Sequence, residues 1–323
     1  MKPVKTLDLY ADIQPSRYRG KSTLQIDEWN KEEILGLLHY ANQIKSMQKS
    51  GKAYQPLVGK TLAMIFTKSS TRTRVSFEVG MYQLGGSSLF LTDKDLQLGR
   101  GETISDTAKI LSSYVDGIMI RTHAHEDVVE LAKHASVPVI NGLTDLYHPC
   151  QALADLLTIQ EHKGKLQGIK LAFIGDGNNV ANSLVLGAVI LGLDVRVATP
   201  PGYEMQKAIV EKVEEYATQY GGKFMMTHDV YEAVDQADVI YTDVWTSMGF
   251  EEENEQRLKD FASYQVNKTL VARADSSYIF MHCLPVHRGE EVIAEIIDGP
   301  HSVVFEEAEN RLHAQKALLA SVM

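Results

Sequence analysis

Two rhythms of hydrophobic and polar positions run along the chain. In "DEWNKEEILGLLHYANQIKSMQKSG" the apolar residues Ile34, Leu37, Leu38, Ala41 and Ile44 recur at helical spacing and the run ends at Gly51. This predicts an amphipathic helix with a glycine stop. Short apolar runs and amphipathic stretches then take turns: "TLAMIF" before "VSFEVGMYQLGG", "SLFL" before "ETISDTAKILSSYV", "GIMIR" before "EDVVELAKHA", and then "VPVIN". Strand and helix in alternation predict a parallel sheet with covering helices.

"HPCQALADLLTIQEHKG" reads as one long helix, after which the alternation restarts with "KLAFIGDG", "VANSLVLGAVILG" and "DVRVATP" and continues through "KFMMT", "ADVIYTDVW" and "YIFMHCLP". Leu312, Ala314, Ala317, Leu318 and Val322 predict a final helix over 309–323. The expected fold class is α/β, with two domains that each hold a parallel β-sheet flanked by helices and a boundary near residue 150. The first domain spans 1–150 and the second 151–308. "EEENEQRLKD" (251–260) reads as a solvated, charge-rich loop or helix start. No internal repeat or low-complexity tract interrupts the pattern.

Composition narrows the class. The chain has 323 residues, room for two domains at roughly 150 residues each. With 42 acidic against 32 basic residues the net charge is −10. That balance argues against nucleic acid or an anionic membrane as the main partner, so an anionic ligand must be met by local arginines. Two cysteines, Cys150 and Cys283, are too few for a disulfide scaffold and fit a reducing compartment. A cytoplasmic location is expected: "MKPVKTLDLYADIQ" has no secretion signal, and the longest apolar run, "LVLGAVILGL", is about half a membrane span.

The candidate chemistry lies at the predicted strand ends. "SSTRTR" (69–74) sits between a strand and a helix, so its hydroxyls and the arginines Arg72 and Arg74 fall at a helix N-terminus. Such a place binds anions, although Ser and Thr are also ordinary N-caps. It is no Walker loop: upstream of Gly59-Lys60-Thr61 stands Tyr54, and upstream of Gly20-Lys21-Ser22 stands Pro15. Arg121 closes "GIMIR", and "HPCQ" (148–151) follows "VPVIN" by a short loop. In an open parallel sheet these carboxyl ends line the ligand crevice. His148 and Gln151 are suited to hydrogen bonding a carbonyl and an amide.

"GDGNNVANS" (175–183) looks like a dinucleotide fingerprint, but Val180 stands at its third glycine position and "DVRVATP" offers no acid for a ribose. An oxidoreductase is therefore a weaker reading than a polar substrate at Asn178 and Asn179. "DVWTSMG" places Asp243 at a further strand end, as a ligand or as a turn former. "HCLPVHR" places Cys283 at another. His282, Cys283 and His287 could hold a metal, yet no fourth ligand lies at a helpful spacing.

Taken together, "STRTR", "HPCQ", "DVWTSMG", "HCLP" and "ENRLHAQK" resemble the aspartate/ornithine carbamoyltransferase family, over essentially the whole chain and on its ornithine branch. The resemblance implies a carbamoyl-phosphate domain, to which the last helix returns, and an amino-acid domain. Carbamoyl phosphate would be held by Ser70, Thr71, Arg72, Thr73, Arg121, His148, Pro149, Cys150, Gln151 and Arg311. Gln97 in "DLQLGRGE" would reach into a neighbouring subunit of a homotrimer.

The same resemblance assigns L-ornithine to Asn179, Asp243, Ser247, Met248, Cys283 and Leu284, and gives Arg121, His148 and Cys283 catalytic roles. The implied reaction yields L-citrulline and phosphate in arginine metabolism, with no cofactor and no metal. An aspartate-specific relative would carry a Pro-Leu-Pro-Arg type motif in place of "HCLP", and a putrescine-specific one would lack "SMG". Acylated ornithines are harder rivals, and Phe250 departs from the glutamine common after "SMG". A non-catalytic amino-acid-binding regulator on the same fold is a further alternative.

Overall fold

The computed structural model describes residues 15–92, 96, 101–246 and 251–323. They form two compact units, one comprising the described residues up to Leu153 together with Arg311–Met323, the other Ala154–Asn310. Each is an α/β layer structure built on a parallel sheet.

In the first unit α1 (Lys31–Lys49) is opened by a capping box, with the Asn30 side chain accepting from the Glu33 N–H and Glu33 reaching back. The strands are β1 (Thr61–Phe66), β2 (Ser87–Thr92), β3 (Gly117–Arg121) and β4 (Val139–Leu143). Between them run α2 (Thr71–Gln83), α3 (Ile104–Tyr114) and α4 (His125–His134). The sheet order is β2-β1-β3-β4, all parallel. Because β1 has β2 on one side and β3 on the other, the winding reverses there, and the crevice opens at the carboxyl ends of β1 and β3. Its core joins Ala63, Ile65, Ile118 and Ile120 to Val128 and Leu131 of α4.

Helix α5 (Pro149–Lys163) leads into the second unit. There β5 (Lys170–Ile174), α6 (Asn179–Ile190), β6 (Asp194–Ala198), α7 (Lys207–Tyr220), β7 (Lys223–Thr227), α8 (Val230–Val234) and β8 (Val239–Thr242) follow in turn. Next come α9 (Asn254–Asp260), α10 (Lys268–Val271), β9 (Ile279–Met281) and α11 (Ala294–Ile297). The order β7-β6-β5-β8-β9 is again wholly parallel, and its reversal falls between β5 and β8. Residues Val180–Ile190 of α6 are buried all round, as its uninterrupted apolar run requires.

Helix α12 (Val304–Val322) starts earlier than the apolar pattern indicated. Phe305 is 70% exposed while Glu307 is fully buried, so the first turn inverts the usual polarity and hides the helix start from a periodicity argument. From Arg311 onward the helix packs in the first unit. The Gly20 N–H donates to the Val322 carbonyl at 2.8 Å, and Lys316 Nζ bonds Gln48 and Gln83. Among the described residues no helix is long and apolar enough to cross a membrane.

Candidate active site

At the β1–β3 crevice the local sequence builds a helix N-terminus lined with donors. Ser70 is the N-cap of α2: its Oγ accepts from the Thr73 N–H at 3.2 Å and lies 3.1 Å from Thr73 Oγ1. The segment is thus a capped helix start, and a cap satisfies one end donor while leaving others directed outward. Arg311 Nη2 donates to Thr73 Oγ1 at 2.9 Å, bringing α12 to the same helix start. Arg121, at the end of β3, donates through Nε to the Lys68 carbonyl at 3.2 Å.

The two arginines of "TRTR" separate here. Arg74 is committed to Glu78 at 3.0 Å and lies over the Phe90 ring, 3.7 Å from its centroid. Arg72 is half-buried and makes no ion pair with another described residue.

His148 immediately precedes Pro149, the first residue of α5, where a proline costs no hydrogen bond. The His148 carbonyl accepts from the Gln151 and Ala152 N–H groups. His148 and Gln151 are buried. Burial, then the charges of Arg311, Arg121 and Lys68, hold His148 well below the usual histidine range, so the ring is neutral at neutral pH. Cys150 is also buried, its Sγ 3.5 Å from the Asn141 carbonyl, and burial pushes the thiol up to about 12. Its side chain therefore faces β4.

The β5–β8 crevice of the second unit is built on asparagine and carboxylate. Asn178 caps α6 through Oδ1, which accepts from the Val180 and Ala181 N–H groups, while its Nδ2 donates to Asp243 Oδ2 at 2.9 Å. Asp243 Oδ1 accepts from the Val244 N–H at 2.8 Å and from Cys283 Sγ at 3.1 Å. Burial, and then Asp243, push the Cys283 thiol well up, so it is a protonated donor and not a thiolate. Asn179 is the first residue of α6 and part-buried. Leu284 adopts φ +56°, and its N–H donates to His282 Nδ1 at 2.9 Å. Since His282 Nε2 faces Glu291 Oε1 at 3.1 Å, both ring nitrogens are engaged within the protein.

Gly177 explains the dinucleotide-like turn. A Cβ there would lie 2.3 Å from the Met205 backbone nitrogen. The glycine is thus required by the close approach of the protein's own main chain.

Gln97, Ser247, Met248 and Phe250 lie outside the described residues. One expectation is corrected: "EEENEQRLKD" is not merely a solvated face. Arg257 within it is buried, donating to Asp176 Oδ2 at 2.6 Å, to the Trp245 carbonyl at 2.9 Å and to Glu253 Oε2 at 2.9 Å. It neutralises the acid of the "GDG" turn and ties that turn to the segment after β8. Sequence reasoning also missed Asp155, Glu307 and Glu291, all fully buried. The signal for Asp155 was its place one helical turn after Gln151.

Two doubly wound units, one ending in a cation-lined helix start and the other in a carboxylate–thiol pair, define a two-substrate transferase architecture. Residues 21–161 match the family model "Aspartate/ornithine carbamoyltransferase, carbamoyl-P binding domain", and residues 167–322 match the "Asp/Orn binding domain" of the same family. The chain belongs to the aspartate/ornithine carbamoyltransferase family. It is 60% identical over 316 residues to the ornithine carbamoyltransferase of Bacillus subtilis, covering 98% of this chain and 97% of that one. To the enzyme of that name from Oceanobacillus iheyensis it is 59% identical over 312 residues, 97% of both chains. The ornithine carbamoyltransferase structure from Pyrococcus furiosus superposes with a TM-score of 0.92 at 57% identity, covering 94% of this chain and 97% of that chain.

Proposed function

We propose that the protein transfers the carbamoyl group of carbamoyl phosphate to the side-chain amine of L-ornithine, giving L-citrulline and phosphate. The observation that carries this reading is the opposite charge of the two crevices, within a chain about 60% identical to ornithine carbamoyltransferases. Arg72, Arg311 and the α2 N-terminus suit a phosphate; Asp243 suits the α-ammonium group of an amino acid.

In the first unit, Ser70, Thr71, Arg72, Thr73 and Arg311 hold the phosphate, while Arg121, His148 and Gln151 address the carbamoyl end. A neutral His148 beside arginines donates a hydrogen bond to the carbonyl without competing for the phosphate charge. In the second unit Asn179 and Asp243 bind the amino-acid head group. Cys283 and the Leu284 main chain position the side-chain amine. The uncharged amine attacks the carbonyl carbon, the C–N bond forms, and the tetrahedral oxyanion is met by Arg121, His148 and Thr73. Collapse breaks the C–O bond to phosphate, which leaves against Arg72 and the helix N-terminus. The departing phosphate accepts the amine's proton.

The motif around Gln97 supports a homotrimer in which Gln97 completes a neighbour's site, the cysteine usage supports a cytoplasmic location, and the reaction proposed above supports a role in arginine metabolism. Incubation with carbamoyl phosphate and, separately, ornithine, acetylornithine, putrescine or aspartate tests the activity by phosphate release and ureido product. Turnover is expected with ornithine alone. No ureido product from ornithine, or faster turnover of another amine, overturns the substrate assignment. Sedimentation of the same preparation as a single chain would remove the trimer.

A further inference from the structure

Behind the second crevice lies an acidic node that the carbamoyl transfer above does not use. Asp155 on α5 and Glu307 in the first turn of α12 are both fully buried, and their carboxyl groups are in hydrogen-bond contact. An ionised carboxylate has only acceptors, so that contact requires a proton on one of the two. Two like charges at this depth repel without water to separate them. The remaining capacity of Glu307 is spent on the strand ends: Oε1 accepts from Tyr241 Oη at 3.2 Å, and Oε2 accepts from the His282 N–H at 2.9 Å. The residue that follows this N–H group is Cys283.

We propose that Asp155 and Glu307 share a single proton and act as a positioning pair for Cys283, fixing its main chain through the His282 N–H and presenting one buried negative charge behind its thiol. Facing the pair are Tyr241 from the end of β8 and the His282 N–H and Cys283 from the end of β9, with Asp243 on the far side against Tyr241 and Cys283. Burial and Asp155 raise the Glu307 carboxyl well above the usual range. After burial and Asp243, Glu307 and Asp155 also raise the Cys283 thiol. The role in amino-acid binding rests on the reading of Cys283 given above; the proton sharing does not.

The test uses the full-length enzyme and two variants, Asp155→Asn and the double variant Asp155→Asn/Glu307→Gln, with carbamoyl phosphate binding as the folding control. Cys283 alkylation by iodoacetamide is followed against pH without substrates and assigned by peptide mass, which separates it from Cys150. Infrared spectra in H2O and D2O look for a protonated carboxyl at neutral pH. The expected result is such a band in the wild type, its loss in the double variant, and an alkylation inflection displaced to lower pH. KM for ornithine should rise about tenfold with a smaller change in kcat, as for an interaction that positions the bound substrate.

Absence of the band from the wild type overturns the shared proton, whether or not the double variant folds. Alkylation profiles and ornithine KM unchanged in Asp155→Asn and in the double variant overturn the positioning role. If wild-type enzyme fails to carbamoylate ornithine, the functional reading falls, while the infrared and alkylation results still decide the pair.

Discussion

The crevice between β1 and β3 gathers Arg121, Arg311 and Lys68 around His148, whereas the crevice between β5 and β8 gathers Asp243, with Asp155 and Glu307 behind it, around Cys283. Both lie where a parallel sheet reverses its winding, and each is closed by a capped helix N-terminus. The difference is the sign of the charge. In the first unit burial and cations push a histidine down; in the second, burial and carboxylates push a thiol up. Each leaves its central titratable side chain uncharged near neutral pH. A fold that binds ligands at strand ends does not choose their charge; the residues placed there do.

Among its described residues the second unit does hold a buried cation, Arg257, and removing it is the harshest test of the contrast. Arg257→Met leaves Asp176 buried without its guanidinium partner, and breaking a buried pair from one side costs about 3–5 kcal/mol. Trp29 reports on the first unit and Trp245 on the second, so urea unfolding followed in Trp29→Phe and Trp245→Phe backgrounds separates them. The Trp245 transition should move to lower urea by that amount and the Trp29 transition far less. A Trp245 transition that stays in place would mean that the Asp176 charge is met by other groups.

Within the first unit, Arg72 and Arg74 should behave differently although they are two positions apart. Arg72→Ala removes a charged contact to the phosphate, about 1.5–3 kcal/mol, or roughly ten- to hundredfold in carbamoyl phosphate affinity. Arg74→Gln should cost under about threefold, because Arg74 is held by Glu78 and Phe90. Calorimetric titration of carbamoyl phosphate and ornithine into both variants measures this. Equal losses for the two ligands in Arg72→Ala would contradict the phosphate assignment.

Periodicity located the strands and most helices because a sheet buried on both faces demands short continuous apolar runs, such as "TLAMIF" and "KLAFI". Motif position then indicated which strand ends carry chemistry, since the winding of a parallel sheet converts chain order into a shared edge. What stayed hidden depends on contacts between distant segments. Arg257 and Asp176 are 81 positions apart, and a charged run gives no hint that one of its members is buried. Glu307 lies in a turn whose exposed Phe305 disguises the helix start. The different fates of Arg72 and Arg74 are likewise invisible in "TRTR", because Phe90 enters from the next strand.

The smallest effects concern pH, and there the two units should fail on opposite sides. His148 has its ordinary value near 6.5 in the unfolded chain and a lower one when folded. Below that pH the unfolded state binds a proton the native state refuses, so stability falls as pH drops from about 7 toward the folded value, by up to about 1.4 kcal/mol per pH unit. Cys283 works in reverse. Its thiol remains protonated in the native state above roughly 8.5, where the unfolded thiol ionises, so stability falls as pH rises. That slope has the same limit of about 1.4 kcal/mol per pH unit, since one proton is again at issue. His148→Gln should therefore flatten the acid flank of a stability–pH curve and leave the alkaline flank, and Cys283→Ala the converse. Urea midpoints between pH 5 and 10 decide it: if either substitution changed both flanks equally, the opposite charging of the two crevices would not be the cause.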